Sequence, residues 1–279
     1  MALYGTPLDE RAIIYTLQSG GIRNIIHLSD ETATKDNVLA NLLEFSAGRP
    51  SVVYLLGHYE PLPRDVQVRK KFWTHDCYKK PEHRGPSRGV SAERIYQLLS
   101  EPDISRACLV SFFFQKRPKI PLAYNRAPRQ FLTDFCYADN INRLRYKLEI
   151  IEGVPSWSEL NEGIERNSQD MILHFAACKV NERAYETKQG GFFTQSLCEV
   201  IDTPMPLPDL LATVRKGVQN LIKDADFGPE EHNPCQTPQI YSSHPLDLKD
   251  TSILEKFGLF YRPVTCSPQN NSHFRFWFY

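Results

Sequence analysis

Two short apolar runs, each delivering a chemically versatile side chain to its far end, constrain this chain more than any other feature. Residues 51–58 read Ser-Val-Val-Tyr-Leu-Leu-Gly57-His58. Residues 129–136 read Arg-Gln-Phe131-Leu132-Thr-Asp134-Phe135-Cys136, and the turn formers Ala138, Asp139 and Asn140 follow at once. Apolar runs of this length closed by turn residues read as buried strands of a largely parallel sheet. Open α/β sheets place their chemistry beyond the carboxyl ends of such strands. An imidazole from one strand and a sulfur from the other read most simply as a cysteine–histidine hydrolase.

Composition narrows the alternatives. Lysine plus arginine and aspartate plus glutamate number 33 each, so no net field calls for nucleic acid or an anionic membrane. No apolar run approaches the roughly 20 residues of a membrane span, and the start lacks the charged-then-apolar build of a signal peptide. The seven cysteines form no Cys-x-x-Cys pair. That scatter reads as free thiols in a reducing, cytoplasmic setting, with neither a disulfide frame nor a zinc site.

The remaining segments alternate in kind. Thr6-Pro7-Leu8-Asp9 opens a helix, with threonine as N-cap and proline at the first helical position, that stops at Gly20-Gly21. Residues 24–28 form a short strand, and Val38, Leu39, Leu42 and Leu43 mark the apolar face of a helix over 34–45. Residues 60–88 lack a period and read as a long surface loop. A helix is expected over 91–99, strands over 171–180 and 239–242, and helices over 190–200 and 210–222. Residues 107–114 compete with 129–136 for one strand position, and the tail from about residue 250 is aromatic but patternless. This β-α-β alternation predicts an α/β fold: a mostly parallel sheet with helices on both faces.

Several stretches, in one order, also resemble the caspase and metacaspase family of cysteine peptidases. They are Leu3-Tyr-Gly5-Thr-Pro-Leu-Asp9, Leu28-Ser-Asp30-Glu-Thr-Ala33-Thr34, Gly57-His58, Asp134-Phe-Cys136, Gly190-Gly-Phe-Phe-Thr194-Gln-Ser-Leu197 and Gln236-Thr-Pro238-Gln-Ile240. The likeness covers residues 3–245 and leans to the metacaspase side, since the Gln-Ala-Cys-x-Gly signature is absent. It implies a three-layer caspase-like domain over residues 1–249, a long irregular insertion over 60–128, and an unassigned tail over 250–279. The family's first strand, at the sheet centre, has no match. Either the chain begins inside the domain or another segment fills the position, with 107–114 as one candidate.

The resemblance implies a cysteine endopeptidase acting on peptide or protein substrates. His58 becomes the general base or acid and Cys136 the nucleophile. The backbone N–H groups of Cys136 and Tyr59 face the developing oxyanion. Asp9 and Asp134 select arginine or lysine before the scissile bond. Arg143 and Arg145 occupy the stretch where calcium-binding members carry acids, so no metal or other cofactor is expected. Plainer roles stand beside these: Asp9 also completes a helix-capping box with Thr6, and a strand-end cysteine is often a small core residue. Cys178 is explained equally by burial, and His174 is expected to face the core. Leu56, Tyr59 and Asp139 depart from the family's small residue, glycine and glycine. They support a second reading, a catalytically impaired pseudo-peptidase acting as a binding or regulatory protein.

Overall fold

The computed structural model describes residues 6–19, 24–29, 32–43, 51–56, 71–72, 90–91, 129–134, 140, 143–161, 171–227, 233–257 and 273–278. Helix α1 spans Thr6–Ser19, strand β1 Asn24–Ser29, α2 Lys35–Leu43 and β2 Ser51–Leu56. Helix α2 is capped as its sequence demands: the Asn37 N–H donates to Thr34 Oγ1 at 3.3 Å. Two-residue strands β3 (Lys71–Phe72) and β4 (Val90–Ser91) pair antiparallel. Strand β3 falls inside the 60–88 stretch read as loop, and β4 takes the first residue of the helix expected over 91–99. The rest of that stretch and residues 107–114 lie outside the described residues.

Strand β5 covers Arg129–Asp134, β6 Tyr146–Ile151, β7 Val154–Glu159 and β8 Ile172–Ala176. Short strands β9 (Glu186–Thr187) and β10 (Gly190–Gly191) precede α3 (Phe192–Cys198) and α4 (Leu207–Asp224). Strand β11 (Gln239–Ser242), α5 (Ile253–Lys256) and β12 (His273–Phe278) complete the set.

Eight strands form one sheet in the order β1-β12-β2-β5-β8-β11-β6-β7. The five from β1 to β8 run parallel; β11, β6 and β7 continue it with antiparallel pairings. The fold is therefore α/β. The interior position that the resemblance leaves without a strand is held by β12, parallel to β1 on one side and β2 on the other. Its occupant comes from the aromatic tail: the position is filled from elsewhere in the chain, as one of the two alternatives expected, by 273–278 and not by the candidate 107–114.

The β6–β7 hairpin is also absent from the sequence reading. Ile151 pairs with Val154, and the two residues between them, Glu152 and Gly153, have φ of 52° and 79°. Positive φ at both central positions is the primed turn that matches the twist of paired strands. One core joins sheet and helices: Ile13 and Leu17 of α1, Phe193 and Leu197 of α3, and Leu210, Leu211 and Val214 of α4 pack with Tyr54, Leu173, Phe175 and Ile240. Each aliphatic side chain so buried contributes about 1.5–3 kcal/mol. This core fixes α1, α3 and the carboxyl half of β2 in one body.

Candidate active site

Register locates the working edge of the sheet. Leu56, the last residue of β2, pairs with Asp134, the last residue of β5; Thr133 pairs with Ala176, the last residue of β8. Neighbouring strands lie about 4.7–4.9 Å apart, so these carboxyl ends form a continuous row. His58 and Cys136 each follow that row by two residues, one after Leu56 and the other after Asp134. His58, Tyr59 and Cys136 lie outside the described residues, as does the Asp134 side chain.

Asp9 is described and is 1% exposed, in the first turn of α1. Both carboxylate oxygens accept the Gly191 N–H at 2.8 Å, a partner 182 residues along the chain. The preceding Gly190 has φ of 120°, and a Cβ there would overlap Asp9 Oδ1. Glycine is needed at 190 for both the left-handed backbone and the close approach. Gln195 Nε2 donates to Gly190 O at 2.8 Å, closing the turn onto α3.

Two further ties hold this corner against the sheet. The buried hydroxyls of Tyr54 on β2 and Thr194 on α3 hydrogen-bond to each other. The Phe192 N–H donates to Tyr185 O at 2.9 Å, so the start of α3 hangs on the loop after β8. The acid on α1, the glycine turn and the end of β2 thus belong to one hydrogen-bonded unit.

His174 is the other histidine singled out in the sequence. It lies in the middle of β8, fully buried, with its ring stacked on Tyr241 at 5.8 Å. Burial pushes its pKa down to about 3, so the imidazole is neutral at pH 7. Its register partners are Phe131 and Tyr241, away from the carboxyl row, which assigns it to the core as expected. Cys178 is likewise buried, and its Sγ–H donates to Glu182 O at 3.3 Å. Arg145, one of the two arginines after the cysteine, pairs with Glu159 across the base of the hairpin at 2.6 Å. Among the described residues no group of three or more His, Cys, Asp or Glu is placed to hold a metal ion.

Sequence reasoning missed Glu182 and the role of Gln236. Both bridge the segment after β8 to the segment before β11. The only sequence signal for Gln236 was its place in the closing motif; Glu182 gave none, because its bridging partners Cys235 and Thr237 lie more than 50 residues away.

Comparison with known proteins follows the same outline. The family model Peptidase_C14, described as the caspase domain, matches residues 1–249. No curated protein sequence matches the chain. Among solved structures, protein GSU0716 from Geobacter sulfurreducens superposes with a TM-score of 0.51 over 87% of this chain and 86% of its own, at 12% identity. That likeness shows the shared fold.

Proposed function

We propose, from the premise that this chain belongs to the caspase-domain family of cysteine peptidases, that it is an endopeptidase of metacaspase type with a His58–Cys136 dyad, cutting after arginine or lysine. The observation that carries the dyad is the pairing of Leu56 with Asp134 on adjacent parallel strands, two residues before His58 and Cys136 respectively. Equal extension from neighbouring strand ends brings two side chains within reach of one bound peptide.

In this reading the imidazole draws the proton from Cys136 and holds the sulfur as thiolate. A free thiol has a pKa near ~8.5, and an adjacent imidazolium lowers it. The thiolate attacks the scissile carbonyl. Negative charge passes to the carbonyl oxygen, where the N–H groups of Cys136 and Tyr59 stabilise it, a contribution typically worth about 3–4 kcal/mol. His58 then protonates the leaving amine, and water hydrolyses the thioester. The basic preference is supported by Asp9, a buried carboxylate oriented by the Gly191 N–H. Asp134, the final residue of β5, is the second acid. Carboxylates in a partly dry pocket favour a cation over any neutral side chain. Cys235 is a free cysteine, in keeping with a reducing, cytoplasmic setting. No helix among the described residues is long and apolar enough to cross a membrane.

The test is covalent labelling with a peptidyl-arginine acyloxymethyl ketone. The reading expects one equivalent on Cys136, none in Cys136→Ala, and a labelling rate reduced by about 100-fold or more in His58→Ala. An arginine probe that labels other cysteines equally well, or none, would remove the peptidase assignment.

A further inference from the structure

The segment after β8 and the segment before β11 are locked together by two side chains reaching in opposite directions. Glu182 stretches toward β11: its Oε2 accepts the Thr237 N–H at 2.6 Å and the Lys179 N–H at 3.2 Å. Its Oε1 accepts the Thr237 hydroxyl at 2.9 Å and the Cys235 thiol at 3.5 Å. Gln236 reaches back: its Oε1 accepts the Tyr185 N–H at 2.9 Å, and its Nε2 donates to Ala177 O at 3.2 Å. Gln236 is 3% exposed, and the Glu182 side chain only 13%. Arg215 on α4 closes the far side, donating its Nε–H to Pro238 O at 2.9 Å.

What the lock holds is the frame of both acids. Ala177 directly follows Ala176, which pairs with Thr133, the neighbour of Asp134. The Tyr185 carbonyl accepts the Phe192 N–H, and the adjoining Gly191 N–H binds Asp9. Four hydrogen bonds, joined by covalent steps at 236–237 and 191–192, therefore lead from Glu182 through Gln236 and Tyr185 to the Asp9 carboxylate.

We propose that Glu182 and Gln236 are positioning residues for recognition of the substrate's basic side chain, holding the 177–191 backbone so that Asp9 stays set to receive it. The inference rests on the peptidase reading above and deepens it. Sites of this kind tolerate errors of only about 0.5 Å in their supporting shell. Removing the lock loosens the 177–191 backbone around Asp9, while β2 and β5, the strands that precede His58 and Cys136, keep their own pairing. Loss falls on binding of the cation and spares the chemical step.

The experiment compares two peptides that differ only in carrying arginine or its neutral isostere citrulline before the scissile bond, with the full chain. Glu182→Met keeps length and removes every acceptor. Glu182→Gln still accepts from Thr237 N–H through its carbonyl and donates to the Thr237 hydroxyl, so it is the conservative control. The expected result for Glu182→Met is a fall of about tenfold in the arginine-over-citrulline ratio of kcat/KM, carried by KM, with kcat within about threefold. Glu182→Gln retains the ratio within about twofold. Amide hydrogen exchange of residues 185–191 is faster in Glu182→Met and unchanged in Glu182→Gln. Thr237→Val, which removes only the hydroxyl link, gives a smaller change in the same direction and substitutes should Glu182→Met not fold.

Unchanged exchange overturns the lock. Faster exchange with unchanged selectivity overturns its role in recognition. Equal losses of kcat/KM on both peptides make the residues merely structural and likewise overturn it. A wild-type chain that does not prefer arginine to citrulline contradicts the specificity reading itself, and the inference with it, before any variant is made.

Discussion

Proline at position 276 tests whether the C-terminal strand is a working part of this domain. Phe276 pairs with His27 on β1 and with Tyr54 on β2, so its backbone lies between two parallel neighbours. Proline there removes a ladder N–H and sets a ring against the adjoining strand; the cost in an element interior is ~3 kcal/mol or more. Deleting residues 273–279 is harsher. It removes six register pairs with β1 and three with β2. At roughly one hydrogen bond per pair and a net 0.5–1.5 kcal/mol each, the loss is on the order of 4–14 kcal/mol. That is comparable with the whole stability of an ordinary domain, about 5–15 kcal/mol. Urea unfolding followed by circular dichroism measures both. Phe276→Pro is expected to lower the midpoint by about 1–3 M at an m-value of about 1–3 kcal/mol/M, and the deletion to leave no cooperative transition. A truncated protein with the full-length midpoint would refute the placement of β12, and with it the account of how β1 and β2 are joined.

Three other perturbations are specific to the site and its support. Gly190→Ala forces a Cβ onto Asp9 from a left-handed backbone and is expected to cost about 1–3 kcal/mol in thermal or chemical unfolding, with a weakened arginine preference. Removing one hydroxyl of the buried Tyr54–Thr194 pair, by Tyr54→Phe or Thr194→Val, costs about 1–3 kcal/mol, and the double variant costs less than the sum of the two. His174 has a folded pKa near 3 against an unfolded value of 6.5. Both states are neutral above pH 6.5; below it the unfolded chain takes up the proton first. Stability therefore falls on acidification between those values, at up to about 1.4 kcal/mol per pH unit. Unfolding midpoints at pH 7, 6 and 5 should show that slope, and His174→Phe should flatten it.

Much of the frame was legible because local signals and register agree. The β11 strand stands at 239–242 as expected, though β12 follows it, and α1 ends at Ser19, just before the double glycine. The long amphipathic helix is there too, extended by a turn to begin at Leu207 beside Pro206 and Pro208. The β6–β7 hairpin was readable in principle: Leu148 is buried while Lys147 and Glu149 pair at the surface, and Glu152-Gly153 marks the turn. The position of β12 was not readable. Aromatic residues give His273–Phe278 a strand's preference, but which neighbours it joins is decided by an unpaired gap elsewhere in the sheet. Glu182 and Gln236 were hidden for the same reason, since a polar side chain's role depends on partners that only folding brings near. Asp9 is tied to Gly191, 182 residues along the chain, a partner that the cap pattern around Thr6 does not indicate.

The alkylation rate of Cys136 by iodoacetamide as a function of pH, in the wild type and in His58→Ala, tests the central claim most directly. The account predicts a wild-type thiolate that forms at least ~1 pH unit below the ordinary value near ~8.5, and a return to that value when the imidazole is removed. Identical profiles in the two proteins, both titrating as a free thiol, would contradict it.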